Sequence, residues 1–167
     1  TLGEAPDRMV VIDSAEAVAA LEVADPDKIA YLTQTTLSVD DVRAWFDGVH
    51  PIVVVEDGSG RVVAFASTSA YRTRECYAGI AEFSVYVARA ERGRGAGRVA
   101  MEALVAAAVK AGFWKLLSRI FVENTASRTL MARVGFREVG IYGKHGKLDG
   151  AWRDAVIVER VIPENVR

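Results

Sequence analysis

The alternation of apolar and polar positions changes period along this chain, and each change marks an element. Met9 to Asp13 reads as a short strand; from Ser14 the period lengthens to a helical one, with Val18 and Leu21 apolar, ended by Asp25-Pro26-Asp27. Ser38 followed by Asp41 has the spacing of a capping box and predicts a second helix through Trp45 and Phe46, stopping near Gly48. The period then shortens. Ile52 to Glu56 and Arg61 to Tyr71 read as strands joined through Asp57-Gly58-Ser59-Gly60, a hairpin signal, and Ile80 to Val87 reads as a third strand of the group. Beyond the glycine-rich stretch 93–97, Met101, Leu104, Val105 and Ala108 recur at helical spacing until Gly112. Lys115 to Val122 is a strand, Asn124 or Thr125 caps a short helix ending at Gly135, and strands follow over Arg137 to Lys144 and Trp152 to Ile162.

The order β-α-α-β-β-β-α-β-α-β-β predicts an α/β fold with one mixed sheet and helices on both faces. A chain of 167 residues fits a single domain over 1–167, since domains run to roughly 100 to 200 residues. Hydrophobic residues at 51% and charged residues at 26% describe a folded protein rather than a disordered one. The net charge of −1 supplies no global positive field for nucleic acid or an anionic membrane, so an anion site must be local. The longest apolar run, Ala103 to Val109, is too short for a membrane span, and Glu4, Asp7, Asp13 and Glu16 interrupt any signal-peptide pattern. The lone Cys76 forms no intrachain disulfide, which points to a reducing cytoplasm. His50, His145 and Cys76 have no zinc-site spacing, so no metal is expected.

Candidate chemistry begins at Arg92-Gly93-Arg94-Gly95-Ala96-Gly97, between a strand and a helix start, where unpaired amides and the helix dipole favour an anion such as phosphate. A Walker loop requires Gly-Lys-Ser/Thr, but Gly97 is followed by Arg98-Val99. A dinucleotide fingerprint requires a third glycine where Arg98 stands. A plain structural turn remains the alternative.

Arg92-x-x-Gly95-x-Gly97, taken with Asn124-Thr125-Ala126-Ser127 leading through Leu130 and Met131 to Gly135-Phe136, resembles the GCN5-related N-acetyltransferase (GNAT) superfamily over about residues 42 to 162. Within it, Ala81-Glu82-Phe83-Ser84-Val85-Tyr86-Val87, Tyr71-Arg72-Thr73-Arg74 and Lys144-His145-Gly146 through Trp152-Arg153-Asp154 look like the phosphinothricin N-acetyltransferases. The run Val139-Gly140-Ile141-Tyr142 with Lys144 to Gly150 resembles their arsinothricin branch. Separately, about residues 10–41 resemble an internal piece of 4-hydroxy-3-methylbut-2-enyl diphosphate reductase. That enzyme holds an iron–sulfur cluster with three cysteines and this chain has one, so reductase chemistry is not expected.

The acetyltransferase resemblance implies a GNAT fold with a sheet of six to seven strands, acetyl-CoA as cosubstrate, a small amino-acid acceptor and a homodimer. It places the coenzyme pyrophosphate on the amides of Arg92, Gly93, Arg94, Gly95, Ala96 and Gly97, and the pantetheine arm beside Asn124 and Ser127. Backbone N–H groups within Val85, Tyr86 and Val87 would serve the developing oxyanion. It makes Glu82 the general base that frees the amine lone pair; Ile80 and Phe83 beside it in sequence would tune the carboxylate for that task. Arg72 and Arg74, with Tyr77 behind them, would hold acceptor anions, since guanidinium forks match carboxylate, phosphinate or arsinate oxygens. Met131 stands where relatives carry a proton-donating Tyr or His; as a packed helix residue it leaves the thiolate to water or Tyr142. His145 reads as a pocket wall and Trp152 as a core or dimer contact. A catalytically silent acetyl-CoA-binding module is the competing reading.

Overall fold

A computed structural model describes residues 47–166 of the protein. The strand and helices expected before Asp47 lie outside the described residues, as does any reductase-like structure there. From Asp47 the order is β1 (Ile52–Glu56), β2 (Val62–Ala70), β3 (Ile80–Val87), α1 (Ala96–Lys110), β4 (Lys115–Phe121), α2 (Thr125–Arg133), β5 (Arg137–Leu148) and β6 (Ala151–Val161). The six strands form one sheet in the order β1-β2-β3-β4-β6-β5. Among them β3 and β4 are the parallel pair, and α1 is the crossover that parallel neighbours require.

Asp57 builds the first hairpin. Its Oδ1 accepts from the Ser59 amide at 2.9 Å, the Ser59 hydroxyl at 2.6 Å and the Arg61 amide at 3.2 Å, while Gly60 takes φ +82. Those donors, the Ser59 hydroxyl first, hold the Asp57 carboxyl down at about 2. Both helices end alike. Phe113 N–H donates to Ala108 and Gly112 N–H to Val109; Phe136 N–H donates to Met131 and Gly135 N–H to Ala132. Each pair is a Schellman closure, and each glycine has the positive φ it needs. The following phenylalanine then turns into the core in both cases.

The expected stripe on α1, Met101, Leu104, Val105 and Ala108, is buried. It packs with Phe83 of β3, Leu116 of β4, Met131 of α2 and Val156 and Val158 of β6 in one cluster. Each large side chain so buried contributes on the order of 1.5 to 3 kcal/mol. Because α1 and α2 share this cluster, the two described helices cover the same face of the sheet.

Two features depart from the sequence expectation. β5 runs on to Leu148 and β6 begins at Ala151, because Asp149 (φ +49) and Gly150 (φ +78) make a two-residue hairpin turn. Trp152, expected in the core or at a dimer contact, is 60% exposed and belongs to no core cluster, which removes the core alternative and leaves the dimer contact open. A third feature was not anticipated: a Cβ on Gly79 would lie 1.9 Å from Cε3 of Trp114, whose N–H donates to the Gly79 carbonyl at 2.8 Å. Gly79→Ala is therefore expected to destabilise the protein by about 1 to 3 kcal/mol through overpacking. A urea midpoint unchanged from the parent's would refute this.

Candidate active site

The site is a fork in the sheet. β3 and β4 stay in register over three pairs, Ile80–Lys115, Ala81–Leu116 and Glu82–Leu117, and then part. Beyond that point β3 remains paired to β2 as far as Val87, and β4 remains paired to β6 as far as Phe121. The facing edges of the two strands thus lose each other as partners while their outer edges stay bonded. Ala88 N–H donates to the Val63 carbonyl of β2 at 2.9 Å. Alternation along β3 then directs the backbone groups of Tyr86 toward β2 and those of Val85 and Val87 into the fork. Of the three residues expected to offer amides, Val85 and Val87 direct theirs into the fork and Tyr86 is turned the other way.

Glu82 stands at the closed end of the fork. Strand alternation sends Ala81 and Phe83 into the core and leaves Glu82, Ser84 and Tyr86 on the face away from α1, as expected. Phe83 is accordingly not a neighbour of the Glu82 carboxylate; it packs against Phe136 with centroids 4.8 Å apart. What faces Glu82 is a residue that sequence reasoning missed, Arg119 of β4, whose Nη2 donates to Glu82 Oε1. Further along that face Tyr86 stacks on Phe65 at 4.7 Å, and burial raises its hydroxyl's pKa against the opposing hydrogen bond from Ser84.

The glycine turn closes around the open end. Gly93 (φ +76) and Gly95 (φ +97) adopt left-handed conformations, and Gly95 precedes α1 with no side chain capping the helix. The first bonded amides are those of Arg98 and Val99, which donate to the Gly95 carbonyl, so the N–H groups of Ala96 and Gly97 have no acceptor within the helix. A Cβ on Gly95 would meet nothing within 4 Å, whereas one on Gly97 would press on Val87 Cγ2 at 3.0 Å and Leu130 Cδ2 at 3.1 Å. Gly95 therefore keeps space open above the turn, and Gly97 lets α1 approach β3 and α2. Arg94 pairs with Glu91 at 2.9 Å and Arg98 with Glu102 at 2.7 Å. Arg92 Nε instead reaches the Val87 carbonyl at 3.4 Å, inside the fork.

Asn124 caps α2: its Oδ1 accepts from the Ser127 amide at 3.1 Å. This leaves the amide group of Asn124 and the hydroxyl of Ser127 as the polar groups available near β4. Met131 is 1% exposed and packed in the core, the structural role expected of it. Tyr142 and His145 lie against each other at 4.7 Å on β5, the sheet's edge. β6 lies between β5 and β4, yet a Cβ on Gly146, next to His145, would lie 3.0 Å from the ring of Phe121 at the end of β4.

The loop between β2 and β3 lies at the other end. Arg72 Cζ is 5.2 Å from the Tyr71 ring centroid, and Tyr71 meets Tyr77 edge-on at 6.0 Å. Arg72 and Arg74 are exposed and, among the described residues, pair with no carboxylate. The loop joins strands that are in register at Ser69–Glu82 and, as their last pair, Ala70–Ala81, so it leaves the sheet at the end where Glu82 stands. Cys76 is exposed in the same loop. Among the described residues no cluster of His, Cys, Asp and Glu has a metal-binding arrangement, and no helix is long and apolar enough to cross a membrane. A shallow depression of about 470 Å³, lined by Glu102, Val105, Arg133 and Arg160, lies between α1 and the C-terminal end of α2, away from the fork.

Known proteins resemble this chain in sequence and fold. An L-methionine sulfoximine/L-methionine sulfone acetyltransferase of Pseudomonas paraeruginosa is 32% identical over 134 residues, 78% of this chain and 78% of that protein. A phosphinothricin N-acetyltransferase of Streptomyces coelicolor is 32% identical over 143 residues, 78% and 84% of the two chains. The crystal structure of a phosphinothricin acetyltransferase from Sinorhizobium meliloti in complex with AcCoA superposes with a TM-score of 0.69 at 28% identity, covering 80% of this chain and 74% of that one. The reductase likeness is a short stretch: 57% identity over 44 residues to the 4-hydroxy-3-methylbut-2-enyl diphosphate reductase of an Azoarcus species, 26% of this chain and 14% of that enzyme. The sequence features of the Acetyltransferase (GNAT) family extend over residues 17–136, starting within the reductase-like segment and running past the glycine turn to Phe136. On that span, together with the fold and its fork, the protein belongs to the GNAT acetyltransferase family.

Proposed function

We propose that the protein is a single-domain enzyme that acetylates the α-amino group of a small amino acid bearing a second anionic group, of the phosphinothricin and arsinothricin type, and so confers resistance to such compounds. The observation that carries this is the placement of Glu82 between the glycine turn at the open end of the fork and the exposed Arg72–Arg74 loop beyond its closed end, two places whose chemistry suits anions. The distance from Glu82 to Val87 is roughly 17 Å at 3.3 Å per residue, a span suited to a pantetheine arm.

Acetyl-CoA supplies a thioester as acetyl donor. The open space over Gly95 and the unbonded amides of Ala96 and Gly97 suit its pyrophosphate, with Arg92 free to exchange the Val87 carbonyl for a phosphate oxygen. Asn124 and Ser127 border the arm. Glu82 takes the proton from the acceptor's ammonium, and the N–H groups of Val85 and Val87 face the oxygen that gains charge as the amine nitrogen bonds to the acetyl carbon. Arg72 and Arg74 hold the acceptor's anions, with Tyr77 alongside. The departing thiolate is served by water or Tyr142, since Met131 is packed in the core. Exposed Ile141, Tyr142 and Trp152 on the β5–β6 hairpin support a homodimer formed through that surface.

The test is turnover of acetyl-CoA with phosphinothricin, arsinothricin, methionine sulfoximine and an uncharged primary amine of similar size. Anionic acceptors are expected to be preferred, and Arg72→Ala or Arg74→Ala to lower kcat/KM for them by about 10- to 100-fold, the size of one or two lost charge-assisted hydrogen bonds. Equal losses on every acceptor would remove the arginines from acceptor recognition. Binding of acetyl-CoA with no turnover of any amine would favour the silent binding module.

A further inference from the structure

The pair between Arg119 and Glu82 joins β3 to β4 immediately beyond their last backbone register, Glu82–Leu117. We infer that Arg119 is a positioning residue for Glu82, fixing the carboxylate at the closed end of the fork by one oxygen so that the other meets the acceptor's ammonium; the inference rests on Glu82 being the general base. The contact is single: Nη2 of Arg119 donates to Oε1 of Glu82, and among the described residues no other group bonds that carboxylate. Oε2 is thereby left for the acceptor. A bidentate clamp would occupy both oxygens and compete with the incoming amine. Both side chains are also partly accessible, 32% for Arg119 and 27% for Glu82, so an acceptor can reach the pair without the strands separating.

A carboxylate at a strand centre otherwise has several rotamers, and proton transfer requires it within hydrogen-bond reach of the ammonium. Arg119 selects one. It is suited to this because it shares a sheet face with Leu117 on β4, and Leu117 is the register partner of Glu82. The opposing possibility is that Arg119 merely straps β3 to β4. A strap acts on stability and on the shape of the fork whether or not residue 82 can accept a proton; a positioning residue acts only through that proton transfer.

A double-mutant cycle on the full chain separates the two, with coenzyme affinity by calorimetry and melting temperature measured on each variant. Arg119→Met is expected to lower kcat about 10-fold, with acceptor KM, coenzyme Kd and melting temperature near parental, and Arg119→Lys to recover part of the loss because one N–H donor suffices. In the Glu82→Gln background, Arg119→Met is expected to have almost no further effect on kcat. Multiplied losses, a Lys variant no better than Met, or parental kcat in Arg119→Met while Glu82→Gln is impaired would each overturn the positioning role alone. Parental kcat in Glu82→Gln would overturn the general base and the positioning role together.

Discussion

Glu82→Gln is expected to lower kcat by on the order of 10² to 10⁴, the usual size of general-base catalysis, with little change in coenzyme affinity. The amide keeps the shape of the side chain and can still accept from Arg119 through its carbonyl oxygen, so the fork is left standing. It cannot take up a proton at neutral pH, and an alkyl ammonium has no lone pair for attack. The effect should therefore fall on kcat and spare binding of acetyl-CoA, which is held at the other end, around Ala96 and Gly97. A steady-state comparison at saturating acetyl-CoA measures it. If the Gln variant retains parental kcat, the proton goes elsewhere and the fork does not use this carboxylate.

The contrast between Glu82 and Arg119 shows what the sequence could and could not convey. Glu82 was legible because the family resemblance falls on it, and period-2 alternation gives its face. Arg119 is one of two cations in β4, with Lys115, and its meaning depends on the partner across the sheet. That partner is 37 residues away, and the parallel register of β3 on β4 is fixed by α1 and the shared core rather than by a turn whose residues can be read. The fork itself is hidden for the same reason. Both strands continue as good β sequence past Glu82 and Leu117, and nothing local announces that their facing edges stop bonding. Gly79 belongs here too: its lack of a side chain serves the Trp114 ring, a neighbour set by tertiary packing.

Elements with their own punctuation were read well. Gly112 and Gly135 announced both helix ends, Asn124 the start of α2, and Asp57 to Gly60 the first hairpin, because in each case the residue that enforces the geometry sits at the boundary. The Asp149-Gly150 turn carries an equally local signal, and it is what extends β5 and β6 into a long hairpin. The place of Tyr142 relative to the fork was unreadable because the strand order puts β6 between β5 and β4, a crossover that sequence order does not reveal. The face covered by α1 and α2 was equally unreadable from helix periodicity, which says that a stripe is buried and not on which side of a sheet.

At the open end of the fork the corresponding expectation is that Gly95→Val weakens acetyl-CoA binding by about 10²- to 10³-fold. Gly95 lies at φ +97, where a β-branched residue is strained by roughly 1 to 3 kcal/mol, so the turn is driven toward another conformation. Any such change re-aims the amides of Ala96 and Gly97, which follow directly and have no acceptor in the helix. Amide bonds to a charged oxygen contribute about 1.5 to 3 kcal/mol each, and losing two accounts for the size of the effect. The valine side chain would also enter the space that is open above the turn, where the pyrophosphate is to rest. Folding is expected to survive, because Gly95 packs against nothing and the buried stripe of α1 begins at Gly97 and Ala100. Calorimetric titration of a Gly95→Val protein with parental circular dichroism checks the affinity. Gly58→Ala, at an open glycine of the first hairpin, serves as the control that should bind normally. Parental affinity in a folded Gly95→Val protein would move the pyrophosphate away from this turn and leave residues 92–97 as a structural connection between β3 and α1.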